Sequence, residues 1–193
     1  MFFMRREDPN HLPRKNQRNL PTRRKKTQST LQHLPKKETM NQATLCFLLK
    51  KDSLSLGRKK RKLGKGKYNG FGGNVEENET IEQATIRELY EETGVKAITL
   101  EKVAEMNYTF PEENKDWNQT VHIYLVRTWN GEAKETEEMT VEWFPLDKIP
   151  YEHMWKNDKH WLPLVLSGKK IKGYVRHTEE RLSSIRLEYV DSF

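Results

Sequence analysis

The sequence predicts an α/β protein, in which helices cover both faces of a mixed β-sheet as an α/β/α sandwich. Three observations lead to this prediction. Short apolar runs separated by polar turns, a pattern typical of strands, recur from residue 43 to residue 190. A capped helix is predicted over residues 80 to 93, and a second helix over the apolar segment from 154 to 168. One helix on each face of the sheet gives three layers, with the sheet in the middle.

Residues 1 to 39 differ in charge from the rest of the chain. They hold eleven of the 35 lysines and arginines and three of the 28 acids, which leaves 24 basic and 25 acidic residues after position 39. The net charge of +7 therefore arises in this segment. Because it contains several prolines and no sustained apolar period, we predict a basic disordered tail, followed by one folded domain over residues 40 to 193.

The sequence leaves three explanations of this tail open. It could be a basic arm for nucleic acid or another anionic partner, an Arg-rich organelle-targeting segment, or an upstream extension without function before a working start at Met40. The last two together are favoured, because runs of charge are usually solvated. A nucleic-acid partner is therefore not expected except through the tail.

Cysteine usage and hydropathy narrow the class of protein. Cys46 is the single cysteine, so an intrachain disulfide and a cysteine-based zinc site are excluded, and its apolar neighbours indicate a small buried side chain. The chain has no apolar run of about 18 residues and no signal-peptide pattern. We therefore expect a soluble, cytoplasmic protein, a monomer without a membrane partner.

The first element of the domain is predicted to be a buried strand, ATLCFLLK from Ala43 to Lys50. In the segment from 56 to 73 that follows, seven lysines and arginines are interleaved with glycines around Leu63. We predict a mobile loop over a polyphosphate, because glycines let backbone N–H groups approach and lysines offset phosphate charge. An ordinary solvated loop explains any single lysine equally well, but it explains the block less well.

The segment from 73 to 95, GNVEENETIEQATIRELYEETGV, is predicted to form loop, helix and loop. Thr80 and Gln83 give a capping-box start and Gly94 gives a stop, so the helix is predicted from Thr80 to Thr93. One helix face would carry Glu88, Glu91 and Glu92. The residues predicted to point away from that face, toward a core, are Ile86, Leu89, Tyr90 and Thr93.

Three like charges at this spacing repel one another unless a cation lies among them. A hard ion that prefers oxygen ligands, Mg²⁺ or Mn²⁺, fits this pattern. A solvated Glu-rich helix would explain the acidic face, but it would not explain the glycines and the arginine at their fixed spacings.

The remaining elements are predicted to be mostly strands. Residues 97 to 110 and 120 to 128 are predicted strands joined by the polar turn PEENKDWNQ. In the second strand, Val121, Ile123 and Leu125 alternate with His122, Tyr124 and Val126, which predicts a half-buried strand. Further strands are predicted over residues 139 to 146, 171 to 177 and 184 to 190, with the second helix ending at Gly168.

The acidic segment resembles the Nudix box, G-x5-E-x7-R-E-U-x-E-E-x-G-U, in which U is aliphatic. Its nine fixed positions are filled by Gly73, Glu79, Arg87, Glu88, Leu89, Glu91, Glu92, Gly94 and Val95. The resemblance extends from Thr44 to the C-terminus. Within the family it is most similar to the oxidised purine nucleoside triphosphate hydrolases, related to bacterial MutT proteins, through YNGFGG, EEMTVEWF and MWKNDKHWLPL. It implies the Nudix fold.

The resemblance also implies a reaction, hydrolysis of oxidised purine nucleoside triphosphates such as 8-oxo-dGTP and 2-hydroxy-dATP to monophosphate and pyrophosphate. It implies Mg²⁺, with Mn²⁺ as a substitute, held by Glu88, Glu91, Glu92 and Glu138. We expect Glu91 or Glu92 to take the proton of the attacking water, and Arg87 to hold a carboxylate of the box, with Glu79 as the candidate. Glu76 and Glu77 are expected to be solvated.

A base-binding site follows from the same resemblance. Thr44, Asn69 and Asp158 would hydrogen-bond the base. The other residues assigned to the substrate are Lys59, Phe71, Gly72, Gly73, Tyr108, Phe110, Met139, Trp155, Asn157 and Trp161. The chain departs from the subfamily at three positions, with Asn157 in place of the first of two aspartates, Leu63 in place of a phenylalanine and Gln119 in place of a methionine. Because an asparagine has a fixed donor and a fixed acceptor, we expect a narrower range of bases.

Two alternatives from other functional classes remain. One is a Nudix hydrolase acting on RNA 5′ ends, ADP-ribose or dinucleoside polyphosphates. The other is a non-catalytic nucleotide-binding module, which is disfavoured because each glutamate of the box is present.

Overall fold

The computed structural model describes residues 40–61, 64–178 and 181–193, and for residues 181–183 it describes the backbone alone. The predictions for the tail and for Leu63 lie outside these ranges. The elements of the described chain are β1 (Asn41–Leu48), β2 (Ser53–Lys59), β3 (Tyr68–Asn69), α1 (Ile81–Thr93), β4 (Lys96–Ala97), β5 (Glu101–Thr109), β6 (Gln119–Val126), β7 (Trp129–Asn130), β8 (Met139–Pro145), α2 (Asp158–Leu166), β9 (Lys170–Thr178) and β10 (Arg181–Val190). A 3₁₀ segment, Glu112–Trp117, occupies the predicted turn between β5 and β6.

The main sheet has five strands in the order β1-β6-β5-β9-β10. Strand β1 is parallel to β6 and β5 is parallel to β9, whereas the pairs β5-β6 and β9-β10 are antiparallel. The predicted mixed sheet is therefore confirmed. Strands β3, β2 and β8 form a second, antiparallel sheet, and β4 pairs with β7.

Two apolar clusters on opposite faces of the main sheet make the three predicted layers. Phe47 and Ile123 pack in one cluster with Trp161 of α2. The next residues along the same strands, Leu48 and Tyr124, pack in the other cluster with Leu89 of α1. Because successive side chains of a strand point to opposite faces, α1 and α2 cover the two sides of the sheet. The α/β/α sandwich is confirmed.

Strand β6 differs from its prediction. Its residues Thr120 to Val126 are all buried, so the half-buried pattern is wrong. The reason is its position between β1 and β5, with one apolar cluster on each face. Alternation of residue types does not reveal a strand that is covered on both sides.

Helix α1 has the predicted ends but a different inner face. The Thr80–Gln83 capping box is present, and Gly94 ends the helix with a φ of 76°. Tyr90 is 59% exposed, so its predicted core position is wrong. Glu92, which is 6% exposed, lies on the opposite side of the helix from Tyr90. Of the predicted acidic face, Glu92 thus points inward and Glu88 is partly buried, whereas Glu91 is exposed.

The predicted bounds of one loop and one strand are corrected. The predicted loop from residue 56 begins later, because Leu56 to Lys59 belong to β2, which pairs with β8. A Cβ at Gly57 would lie 2.8 Å from both Met139 Cε and Phe71 Cε1, so this glycine permits close packing. The predicted strand from 97 to 110 is interrupted between β4 and β5. In the part of the chain that the structure describes, neither helix is long and apolar enough to cross a membrane.

Candidate active site

The centre of the carboxylate site is Glu92, a residue of α1 whose side chain contacts the glycine segment at residues 72–73. The N–H of Gly72 donates to Glu92 Oε2 at 2.8 Å. The glycine segment is itself fixed to β1, because the N–H groups of Thr44 and Cys46 donate to the carbonyls of Gly73 and Phe71 at 2.8 and 2.7 Å. Helix α1 is therefore tied to the main sheet through the same backbone that contacts its carboxylate.

A side chain at Gly72 or Gly73 would lie very close to neighbouring atoms. Gly72 has a φ of 154°, and a Cβ there would lie 2.1 Å from the carbonyl oxygen of Thr44. A Cβ at Gly73 would lie 2.4 Å from Glu88 Oε1, the end of a flexible side chain. The two glycines therefore tolerate change differently.

We expect Gly72→Ala and Gly73→Ala to separate stability from activity. Gly72→Ala pushes against backbone and should lower the free energy of unfolding by about 1–3 kcal/mol. Gly73→Ala should leave the melting temperature nearly unchanged but displace Glu88 and lower kcat. Thermal melts and steady-state kinetics of both variants check this. Equal losses of stability in the two proteins would contradict it.

Burial and neighbouring charge shape the protonation of the site. Burial raises the pKa of Glu92 to about 7; the charges of Glu88 and Glu138 add to this rise, and the Gly72 N–H and Lys59 oppose it. Burial also raises the pKa of Glu88, against the lowering effect of Arg87. These carboxylates therefore lie near enough to repel one another.

Arg87 organises the outer side of the cluster. Its Nη2 and Nε donate to the two carboxylate oxygens of Glu79 at 2.7 and 3.1 Å, so the predicted Arg87–Glu79 contact is present. Its Nη1 donates to Glu88 Oε1 at 2.9 Å and to Glu91 Oε2 at 3.4 Å. Arg87 thus orients Glu88 and partly offsets the charge of the helix. Glu76 is exposed, as predicted.

The donor set fits a hard divalent cation. Glu88, Glu91, Glu92 and Glu138 offer oxygen ligands only, and two of them repel Glu92. Glu138 is paired with Arg61. Within the described ranges, no three acidic, histidine or cysteine side chains are gathered closely enough to hold an ion, and arginines engage three of these glutamates. Holding an ion would require these side chains to turn away from the arginines.

A second polar site lies where β5 meets the start of α2. Asp158 is 3% exposed, and its Oδ1 accepts from Trp161 Nε1 and from Asn157 Nδ2, both at 3.1 Å. Its Oδ2 accepts from the backbone N–H of Trp155 at 3.1 Å. Asn157 Nδ2 also donates to the hydroxyl of Tyr108 at 3.0 Å. The structure therefore brings five of the predicted base-site residues into one network.

Burial raises the pKa of Asp158 to about 7, although the hydrogen bonds from Trp155 and Trp161 and the charge of Lys67 lower it. Burial and the charge of Asp158 also raise the pKa of Tyr108. Near neutral pH, Asp158 is therefore poised between a carboxyl that can donate a hydrogen bond and a carboxylate that can only accept one.

Three predicted base contacts lie inside the apolar clusters. Trp161 is 0% exposed and packs against Phe47, with ring centroids 6.2 Å apart, so its predicted stacking on a base is not available and it acts through Asp158. Phe71 and Met139 are buried as well. They can support the wall of a pocket without touching a ligand.

The other predicted substrate residues differ in how far they are exposed. Trp155, Asn69 and Lys59 are partly buried, on the turn before α2, on β3 and on β2. Thr44 is buried, and its hydroxyl has no hydrogen-bond partner within the described part of the chain. Gln119 pairs with Tyr108 across β5 and β6.

The sequence analysis missed His177 and the individual role of Lys67. His177 stacks on Phe110 with ring centroids 4.6 Å apart and on Tyr108 at 6.3 Å. Burial lowers the pKa of His177, which favours a neutral ring. Its contact arises because β9 runs parallel to β5, and no local pattern signals that pairing.

The fold and the site together define a class of protein, an α/β/α sandwich with a glutamate-rich helix, whose Glu92 is buried, and a polar network around Asp158. A model of the NUDIX domain matches residues 39–165, and the chain belongs to the NUDIX family. It is 46% identical over 121 residues to the oxidized purine nucleoside triphosphate hydrolase of Danio rerio, covering 63% of this chain and 76% of that protein. It is 42% identical over 139 residues to the protein of the same name from Mus musculus, covering 72% of this chain and 88% of that protein.

Solved structures agree with the fold. The MutT protein from Bacillus halodurans superposes with a TM-score of 0.68 at 26% sequence identity. The match covers 77% of this chain and 98% of that structure. The predicted Nudix fold is therefore confirmed.

Proposed function

We propose that this protein hydrolyses oxidised purine nucleoside triphosphates, 8-oxo-dGTP and 2-hydroxy-dATP, to the monophosphate and pyrophosphate, and so sanitises the nucleotide pool. The relatives from Danio rerio and Mus musculus carry the name oxidized purine nucleoside triphosphate hydrolase. The matched segments span 121 and 139 residues of this chain.

The observation that carries this proposal is the inward orientation of two glutamates of α1, Glu92 and Glu88. Glu92 is 6% exposed and bound by the Gly72 amide, beside the half-buried Glu88. A helix with solvated charges would place these side chains outside. Because burying carboxylates without partners is unfavourable, the arrangement is typical of a site that receives cations and phosphates.

In this proposal, the charged residues of α1 have separate roles in hydrolysis. Glu92, held by Gly72, accepts the proton of the water that attacks the phosphate chain. Arg87 positions Glu88 and Glu91. Mg²⁺ or Mn²⁺ held by Glu88, Glu91, Glu92 and Glu138 would offset the phosphate charge and lower the pKa of the attacking water.

The network around Asp158 reads the base in this proposal. The half-buried Trp155 offers an indole ring for stacking, and Asp158 offers a donor or an acceptor according to its protonation. Asn157 is held by Tyr108 and therefore presents one fixed arrangement of its amide. A purine whose edge does not match these groups leaves them unpaired, which costs about 1–3 kcal/mol per group.

An assay of purified protein with Mg²⁺ against a panel of nucleotides tests the function. The panel holds 8-oxo-dGTP, 2-hydroxy-dATP, dGTP, dATP, ADP-ribose, a dinucleoside polyphosphate and a triphosphorylated RNA. We expect the highest kcat/KM on the two oxidised purines, with pyrophosphate as product. A preference for ADP-ribose, the dinucleoside polyphosphate or the RNA would identify a different Nudix substrate. The absence of product from all seven substrates would favour a binding module.

A protein that begins at Met40 is expected to hydrolyse nucleotides as well as the full chain does. The two active-site clusters lie within the ranges that follow residue 40, and the proposed domain starts there. Steady-state kinetics of both proteins provide the measurement. A large loss of kcat/KM on removal of residues 1 to 39, or loss of RNA-dependent activity, would favour the basic-arm explanation.

A further inference from the structure

The hairpin between β2 and β3 turns Lys67 toward the base site. The N–H of Gly66 donates to Lys59 O at 2.8 Å, and the N–H of Lys59 donates to Lys67 O at 3.1 Å. The N–H of Lys67 donates to Gly64 O at 2.9 Å, which closes the turn. Gly64 adopts a φ of 82°, a conformation that favours glycine. The described part of the hairpin is thus hydrogen-bonded at its base.

This hairpin packs on Trp155. Lys67 Nζ lies 5.3 Å from the centre of the Trp155 ring and donates to the carbonyl of Met154 at 3.4 Å. A Cβ at Gly64 would lie 2.9 Å from Trp155 Cζ2, so the backbone of the turn also touches the indole. A lysine over an indole face gains a cation–π interaction.

The same lysine acts on Asp158. Trp155 and Asp158 are joined by the hydrogen bond from the Trp155 N–H to Oδ2. The charge of Lys67 lowers the pKa of Asp158, against the effect of burial. The other titratable groups that interact with Asp158 are Tyr108 on β5 and Tyr151 in the turn before α2, and the charge of Asp158 raises the pKa of both.

We propose that Lys67 is a specificity-determining residue of the base site, which holds the turn at residues 64–67 on Trp155 and supplies a positive charge that acts on Asp158. This inference rests on the proposed function, since it concerns the choice among purine substrates. It assigns to Lys67 a role different from that of a lysine that binds phosphate. Its ammonium group contacts an indole and a carbonyl on the base side of the site.

The proposed role predicts the direction in which the pKa of Asp158 changes when Lys67 is replaced. Removing the charge of Lys67 leaves the Asp158 carboxylate less stabilised, so its pKa rises and the protonated form persists to higher pH. Protonated Asp158 donates to the base, whereas ionised Asp158 accepts. The ratio of activities on two purines with different edges should therefore change at a higher pH than in the unaltered protein.

The test compares Lys67→Met, Lys67→Arg and the matched control Lys156→Met, which removes an exposed lysine of the same turn as Trp155. Carboxyl ¹³C NMR of aspartate-labelled full-length protein follows Asp158, whose signal is assigned by its loss in Asp158→Asn. We expect Lys67→Met to raise the pKa of Asp158 by about half a unit or more. Lys67→Arg and Lys156→Met should leave it nearly unchanged.

Kinetics in the same proteins give the second readout. The pH at which the ratio of kcat/KM for 8-oxo-dGTP and 2-hydroxy-dATP changes should move upward in Lys67→Met alone. An equal rise of KM for both substrates, with the titration of Asp158 unmoved, would make Lys67 a phosphate lysine and overturn the proposal. If the unaltered protein hydrolyses neither substrate, the proposed function fails, while the NMR titration still decides the effect of Lys67 on Asp158.

Discussion

Glu92→Gln is expected to lower kcat by a factor on the order of 10² or more, the loss typical of removing a general base. The amide has nearly the same volume as the carboxyl, and its oxygen can still accept the N–H of Gly72, which lies 2.8 Å from Glu92 Oε2. The charge and the basicity are lost. Because the buried carboxylate is costly to the fold, the melting temperature should stay equal or rise. Kinetics with Mg²⁺ and thermal melts measure both effects.

The matched control for this change is Glu77→Gln. Glu77 lies in the loop before α1 and is exposed, so the same change of charge there should alter kcat by less than about twofold. Turnover close to normal in Glu92→Gln would remove Glu92 from the chemistry and leave Glu91 as the base. A loss in both variants would indicate a general effect of charge.

Asn157→Asp is expected to change the choice of purine and to make it depend more strongly on pH. Asn157 Nδ2 donates to Tyr108 and to Asp158 Oδ1, and an ionised aspartate can donate to neither, although it can accept from the Tyr108 hydroxyl. The two neighbouring carboxyls would then share a proton and titrate as a pair. Replacing a buried hydrogen-bond partner costs about 1–3 kcal/mol, or about 5- to 150-fold in kcat/KM.

The sign of this effect follows from Asp158. Its pKa is raised by burial to about 7, so in the unaltered protein it donates below that pH and accepts above it. A second negative charge at position 157 raises the pKa further, and the change of preference should move to higher pH. Ratios of kcat/KM for 8-oxo-dGTP and 2-hydroxy-dATP from pH 6 to 9 measure it.

Asp158→Asn is the control for Asn157→Asp. It removes the group that titrates but keeps two polar atoms near Trp161 and Trp155. Its ratio should therefore be flat across the same pH range. If Asn157→Asp and the unaltered protein give the same ratio at every pH, residue 157 does not read the base.

Local signals in the sequence were sufficient for the ends of α1 and for the family motif, but not for β2, part of which was predicted as loop. The Thr80–Gln83 capping box and the stop at Gly94 define α1 within one residue, because both depend on hydrogen bonds between neighbours in the chain. The same holds for the spacing of the glutamates on one helix. These features need no partner from elsewhere in the fold, and the sequence by itself determined them.

The tertiary structure alone decided which surfaces of these elements are buried. The burial of Glu92 and the exposure of Tyr90 depend on how α1 lies on the Gly72–Gly73 segment, and the full burial of β6 depends on its two neighbours in the sheet. Trp161 lies in the core because α2 packs on the main sheet, while Lys67 reaches the base site from the turn before β3 and His177 reaches it from β9. Such contacts join residues far apart in the chain, and burial then shifts their pKa values by removing water. No local pattern contains that information.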